Sequence, residues 1–135
     1  VSNSMDVGNP SNFPRLQALY GGDEELFREN VKGYFYTDEQ TIKAIQAVQP
    51  LGYTLDPHGA VGYLGLKDFM TEHPGCVGVF LETAHPGKFR DVVEEALGEK
   101  LVLPERLAAF LKGEKKVISM GKSFGEFKGY LEGLD

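Results

Sequence analysis

The stretch Cys76-Val-Gly-Val-Phe-Leu-Glu-Thr-Ala-His-Pro-Gly-Lys-Phe89 changes its hydrophobic period halfway along. Val77 to Leu81 is a short apolar run typical of a strand. After it, apolar residues recur at helical spacing: Phe89, Val92, Val93, Ala96 and Leu97. A strand that passes directly into a helix predicts an α/β fold, an open sheet with flanking helices. In such a sheet ligands bind beyond the carboxyl ends of the strands. We therefore expect Thr83, Ala84 and His85 beside a ligand site.

Composition and charge narrow the class of protein. The chain has 135 residues, 41% of them hydrophobic and 25% charged, which predicts a single unit over residues 1–135 with no internal domain boundary. A net charge of -6 argues against nucleic acid and anionic membranes as partners, because both bind basic surfaces. No apolar run approaches the roughly 20 residues that cross a bilayer, and no export signal opens the chain. These features predict a soluble, cytoplasmic protein.

The residue types that usually carry catalysis do not form a recognised motif. His58, His73 and His85 have separations that fit no metal template, so we expect no metal site. Cys76 is the single cysteine and lies in the apolar run, which predicts a buried, inert thiol. The Gly-x-Ser-x-Gly elbow and the glycine-rich phosphate loops are absent. Residue chemistry alone thus predicts an α/β ligand-binding chain with candidate anion sites.

Several helices have clear start signals. Thr37 and Gln40 form a capping-box pattern ahead of a helix with a buried stripe at Ile42, Ile45 and Val48. Asp56-Pro57 has the form of an N-cap followed by proline at the first helical position. The helix that begins there should run to about Met70.

That helix carries three glycines on one face, Gly59, Gly62 and Gly65. Each glycine inside a helix costs about 0.8 to 1 kcal/mol relative to alanine. Close approach of another backbone or of a flat ligand would offset this cost, and tight packing against a strand would do so equally well. The sequence leaves these explanations open.

Three stretches of the chain resemble the threonine synthase family, in the family's order: Ser2 to Phe13, Asp56-Pro-His-Gly-Ala-Val-Gly62, and Thr83-Ala-His-Pro-Gly-Lys-Phe89. The resemblance implies the second fold type of pyridoxal-phosphate enzymes, the tryptophan synthase beta-like fold, with this chain as a C-terminal portion carrying part of an open sheet. It implies a lyase that converts O-phospho-L-homoserine and water into L-threonine and phosphate.

The resemblance also assigns roles to residues. Thr83 would donate its hydroxyl to the pyridine nitrogen of pyridoxal phosphate. Four residues near the first turn become candidates for the substrate phosphate: Asn9, Ser11, Asn12 and Arg15. His58 and His85 become possible neighbours of the active site, and either could equally fix a turn through backbone hydrogen bonds. The family's Schiff-base lysine and its loop for the cofactor phosphate lie in an N-terminal part and match nothing in this chain, so no catalytic residue is expected here and the chain alone should be inactive.

Other functions fit the same residues. A related pyridoxal-phosphate enzyme, such as a cysteate synthase or an amino-acid dehydratase, would share the cofactor chemistry. A non-catalytic module that binds a small anion or a partner protein would use the same turns. If the chain is a fragment of a larger enzyme, its partner is the missing N-terminal portion, and alone it should expose apolar surface and self-associate.

Overall fold

The computed structural model describes residues 1–3 and 7–134. Part of the Ser2 to Phe13 motif, Ser4 to Asp6, lies outside the described residues. The chain forms two compact units, Val1–Val102 and Leu103–Asp135. The described residues of the first unit include five α-helices and the 3-10 turns Gln49–Leu51 and Pro86–Phe89. The helices are α1 (Phe13–Leu19), α2 (Glu24–Asn30), α3 (Asp38–Val48), α4 (Pro57–Glu72) and α5 (Arg90–Leu97).

The predicted partial open sheet is wrong, because residues 1–3 and 7–134 contain no β-strand. In the segment from Val77 to His85, exposed and half-buried residues nevertheless alternate without a break, as along an extended backbone. Val77, Val79 and Leu81 are 93, 80 and 78% exposed. A strand is defined by backbone hydrogen bonds to a neighbour. The apolar run was read as a strand of a sheet, and that reading is wrong because none of the described residues pairs with this segment.

The half-buried side of the same segment packs on α4. The backbone of Gly78 lies against Leu66 and Met70, and the Phe80 ring meets Tyr63 edge-on at 5.8 Å between centroids. The segment is therefore held by side chains on one side alone.

The core of the first unit lies where α3, α4 and α5 meet. Its buried apolar residues are Ala44, Ile45, Val48, Leu55, Ala60, Val93 and Ala96. The predicted stripe of α3 is confirmed at Ile45 and Val48, while Ile42 packs against the cluster from its edge. The capping box is confirmed as well, because Thr37 and Gln40 each accept the other's backbone N–H. Gln46 on α3 donates to the carbonyl oxygen of Ala96 at 2.7 Å and ties α3 to α5.

Two of the three glycines of α4 are closely approached, and in both cases by a side chain. At Gly59 an added Cβ would overlap the carboxyl group of Glu82, and at Gly65 it would lie 3.2 Å from the Tyr34 ring. Gly62 has no neighbour within 4 Å of such a Cβ. Close approach therefore explains Gly59 and Gly65, and it does not explain Gly62.

Cys76 is exposed, which corrects the prediction of a buried thiol. It lies at the outer end of the apolar run, ahead of the part that packs on α4, and its position in an apolar sequence did not place it in a core.

Up to residue 134 the second unit has two short helices, α6 (Glu105–Phe110) and α7 (Phe124–Glu132), and neither contains a buried residue. Ser123 caps α7 by accepting the backbone N–H of Glu126 at 3.1 Å. Large apolar side chains of both helices remain exposed to solvent, Phe110 of α6 by 81% and Phe124 of α7 by 77%. Across the described parts of both units, no helix is long and apolar enough to cross a membrane.

We predict opposite effects for the same substitution at two glycines of α4. Gly62→Ala should stabilise the protein by about 0.5 to 1 kcal/mol, because alanine favours the helix and no atom opposes its methyl group. Gly59→Ala should destabilise it by about 1 to 3 kcal/mol, because the methyl group displaces the hydrogen-bonded carboxyl of Glu82. Urea unfolding of the two variants measures the difference. In a Glu82→Ala background the Gly59→Ala penalty should vanish, and a penalty that persists there would contradict the steric explanation.

We also predict that the isolated chain self-associates, because the apolar side chains of Val77, Val79 and Leu81 form an exposed row. Sedimentation velocity over a range of concentrations should show species larger than a monomer. Val79→Lys should shift the distribution toward the monomer, whereas Glu95→Lys on the exposed part of α5 should not. A compact, concentration-independent monomer would refute the prediction.

Candidate functional site

Residues 82–85 end the extended segment and lead into the 3-10 turn Pro86–Phe89. Together these residues form the loop 82–89. His85 begins this turn as its N-cap, with Nδ1 accepting the backbone N–H of Gly87 at 3.0 Å. His85 also lines an open cavity of about 500 Å³ together with Tyr53, Thr54 and Lys100. It fixes the turn through its backbone contact, one of the two roles the sequence allowed.

Thr83 is exposed at the end of the alternating segment. Its hydroxyl makes no hydrogen bond within the described residues, and the cap of the following turn is His85. The structure thus leaves the Thr83 hydroxyl available to a ligand, and Glu82, its neighbour, turns to the opposite side.

Glu82 contacts the first turn of α4. Its Oε1 accepts the backbone N–H of Asp56 at 2.6 Å, and its carboxyl group lies on Gly59. Asp56 is fully buried and caps α4 by accepting the N–H of His58 at 2.7 Å. Two carboxyl groups from distant parts of the sequence therefore close one helix N-terminus, where the helix dipole favours negative charge.

Burial at this helix end raises the pKa of the Glu82 carboxyl. Asp56 Oδ2 and Glu82 Oε2 are both buried and have no hydrogen-bond partner among the described residues. Burial raises the pKa of Glu82 to about 7; the Asp56 N–H opposes that rise, while a hydrogen bond to the Asp56 carboxyl and repulsion from its charge add to it. A proton on Glu82 turns an orphaned acceptor into a donor toward Asp56, as in other paired carboxyl sites.

His58 belongs to the same cluster. Its Nδ1 lies 2.8 Å from Asp56 Oδ1, and its ring lies 4.7 Å from the Phe89 ring, centroid to centroid. The structure thus places His58 against the 3-10 turn that follows Thr83 and His85, and its role as a neighbour of the active site stays a prediction. Sequence reasoning recognised Asp56 as a cap and missed Glu82 as its partner; the unusual Gly59 was the available signal.

The four candidates for the substrate phosphate lie elsewhere in the first unit. Asn9, Ser11, Asn12 and Arg15 are all exposed. Asn12 is the N-cap residue of α1, but its side chain makes no capping hydrogen bond. No hydrogen bond or ion pair within the described residues joins these four side chains to the loop 82–89. Helix α1 is positioned by aromatic contacts, with the Phe13 and Phe27 rings 6.0 Å apart. In the same described residues, no group of three or more His, Cys, Asp or Glu could hold a metal ion.

The raised pKa of Glu82 makes the free energy of unfolding depend on pH in a defined direction. The folded chain holds the Glu82 proton up to about pH 7, whereas the ordinary pKa of glutamate is 4.5. Between these values the folded state binds more protons, so the free energy of unfolding falls as pH rises through this interval. We expect a loss of about 1 to 2 kcal/mol, discounted because Glu82 is partly exposed.

Glu82→Gln should remove this contribution, because glutamine keeps a donor toward Asp56 at every pH. Denaturant unfolding between pH 4.5 and 8 measures the effect, with Glu95→Gln as a control that removes an exposed charge and keeps the slope. An unchanged slope in Glu82→Gln would contradict the assignment.

Comparisons with known proteins place the chain in a family. A family model described as threonine synthase, C-terminal, matches residues 59–130, which is more than half of the chain. The threonine synthase of Serratia marcescens is 40% identical across 99% of this chain, and the Escherichia coli enzyme is 44% identical across 80% of it. The chain spans 30% and 24% of the lengths of these two relatives.

Solved structures agree with the sequence comparisons. The crystal structure of Escherichia coli threonine synthase matches 97% of this chain at a TM-score of 0.77 and 36% identity, over 30% of its own length. Threonine synthase from Brucella melitensis with bound pyridoxal phosphate matches 96% at a TM-score of 0.62 and 25% identity, over 33% of its length. The resemblance read from the three motifs is therefore confirmed, and the chain belongs to the threonine synthase C-terminal family.

Proposed function

We propose that this chain serves as the C-terminal part of a pyridoxal-phosphate-dependent threonine synthase, a lyase of threonine biosynthesis that converts O-phospho-L-homoserine and water into L-threonine and phosphate. The observation that carries the proposal is the exposed Thr83 in the loop of the family motif, with its hydroxyl unused by the described residues. The relatives' names and the pyridoxal phosphate bound by the Brucella melitensis enzyme support the activity and the cofactor. The cytoplasmic location expected from the sequence stays a prediction.

The residues present fit the proposed cofactor. Pyridoxal phosphate, when bound, supplies an electron-accepting pyridine ring. Thr83 offers that ring's nitrogen a neutral hydroxyl, which can donate a hydrogen bond without placing a full negative charge beside it. The nearest carboxyl group along the chain, that of Glu82, is turned toward Asp56 and away from this side. We therefore assign Thr83 the role of cofactor contact.

His58 and His85 shape the loop that carries Thr83. His85 fixes the turn after it, and His58 joins Asp56 to Phe89. Both act on the geometry of the loop in this proposal. Asn9, Ser11, Asn12 and Arg15 remain candidates for the substrate phosphate on the strength of the family resemblance, because amide, hydroxyl and guanidinium groups are suitable phosphate donors.

The first test uses the chain alone. It should release no phosphate from O-phospho-L-homoserine at an enzymatic rate when supplied with pyridoxal phosphate, because Lys88, in the family motif, occupies a helical turn and no residue here matches the Schiff-base lysine. The intact enzyme that contains residues 1–135 should release phosphate and form threonine. Turnover by the chain alone would contradict the division of roles, and preference for another amino-acid substrate in the intact enzyme would favour a cysteate synthase or dehydratase.

The second test addresses Thr83 in the intact enzyme. Thr83→Ala should lower kcat by about 10-fold to 100-fold, the effect of losing one hydrogen bond of about 1 to 3 kcal/mol to the cofactor. It should also shift the absorbance of bound pyridoxal phosphate. Thr83→Ser keeps the hydroxyl and should retain most activity.

Thr71→Ala provides the matched control, since the Thr71 hydroxyl bonds to the Lys67 carbonyl oxygen within α4. An unchanged kcat and spectrum in Thr83→Ala would refute the cofactor contact.

A further inference from the structure

We infer that Glu82 is a positioning residue: its carboxyl, held between Asp56 and Gly59, sets the direction in which the neighbouring Thr83 hydroxyl faces. This inference rests on the proposed contact between Thr83 and the cofactor, and it adds a second residue, with a protonation requirement, to that contact.

The anchor consists of two contacts on one side chain. Glu82 Oε1 accepts the Asp56 N–H at 2.6 Å, which fixes one oxygen. The surface of Gly59 supports the carboxyl group, and any larger residue there would occupy its place. Because Gly59 has no side chain, the Glu82 carboxyl has space to pack against the α4 backbone.

The anchor acts on Thr83 because the two residues are consecutive in an alternating segment. Exposed and half-buried residues alternate from Val77 to His85, so adjacent side chains point to opposite sides. With Glu82 held inward, the backbone has little freedom to rotate Thr83 away from the exposed side. His85 fixes the same loop from its other end through Gly87.

Ionisation would release the anchor at Glu82. Asp56 is fully buried and held by its contacts with the backbone and ring of His58. Glu82 is partly exposed and therefore has a path into solvent. The titratable group that faces it is Asp56. His58 contacts Asp56 in turn, and His85 lies on the exposed side of the segment. No lysine or arginine forms an ion pair with Glu82 in the described part of the chain. A carboxylate at this position would meet the charge of Asp56 without a compensating cation, so loss of its proton favours departure of the side chain.

The test follows the Thr83 amide by NMR in the intact enzyme that contains residues 1–135, labelled with 15N-threonine. Between pH 5.5 and 8.5 the Thr83 signal should shift with a midpoint near the Glu82 pKa of about 7. In Glu82→Gln the signal should stay at its low-pH position throughout, while Glu95→Gln should titrate as the unmodified protein does. A Thr83 shift that persists in Glu82→Gln, as a histidine titration would produce, or a shift absent from the unmodified protein, would overturn the inference.

A second readout separates positioning from fold maintenance. Glu82→Ala should lower kcat about 10-fold with little change in KM and should shift the absorbance of bound pyridoxal phosphate, whereas Glu82→Gln should keep both near the unmodified values. Because loss of the Glu82 proton releases the side chain, kcat of the unmodified enzyme should also decline above neutral pH, and Glu82→Gln should abolish that decline. Equal behaviour of the alanine and glutamine variants would overturn the inference. If the unmodified enzyme binds no pyridoxal phosphate, the proposed function fails, and the NMR titration still decides whether Glu82 controls Thr83.

Discussion

The N-terminus of α4 is closed by two carboxyl groups, and the arrangement of the surrounding loops depends on this contact. Asp56 caps the helix from its own sequence, and Glu82 reaches the Asp56 amide from the other side of the extended segment. Ionised carboxyl groups buried side by side repel each other, so the contact is stable when one proton is shared. The pair thereby joins α4 to the loop 82–89, and His58 extends the junction to Phe89.

The core and the extended segment use apolar residues in different ways. In the core, Ile45, Leu55 and Val93 are completely buried between helices, which removes about 25 cal/mol of unfavourable hydration per Å². Along the segment, Phe80 packs inward while Val79 and Leu81 remain mostly exposed. The segment therefore buries one of its two sides and leaves the apolar side chains of the other exposed. The threonine synthases to which the chain is related are about three times its length.

Two adjacent residues, Glu82 ahead of the family motif and Thr83 at its start, have separate tasks in the proposed function. Glu82 faces the protein and accepts a hydrogen bond at a helix end, and Thr83 faces outward with a hydroxyl that no described residue binds. This division keeps a carboxylate away from the position proposed for the cofactor nitrogen and presents a neutral donor there. Alternation of side chains along an extended backbone is enough to produce it. The chemistry of the site thereby depends on the register of the segment, which the Glu82 contact with Asp56 fixes.

The sequence by itself determined the local features whose partners lie a few residues away: the Thr37 and Gln40 capping box, the Asp56 cap, the stripe of α3, and the motifs that identify the family. The sequence could not determine whether the apolar run from Val77 to Leu81 pairs with other strands. An apolar pattern indicates which residues favour burial, and it does not identify the residues that cover them. The exposure of Cys76 was misjudged for the same reason. The tertiary structure alone decided that Glu82 meets Asp56 and Gly59, since a contact across 26 residues arises from how α4 packs on the segment and leaves no periodic signal in the chain.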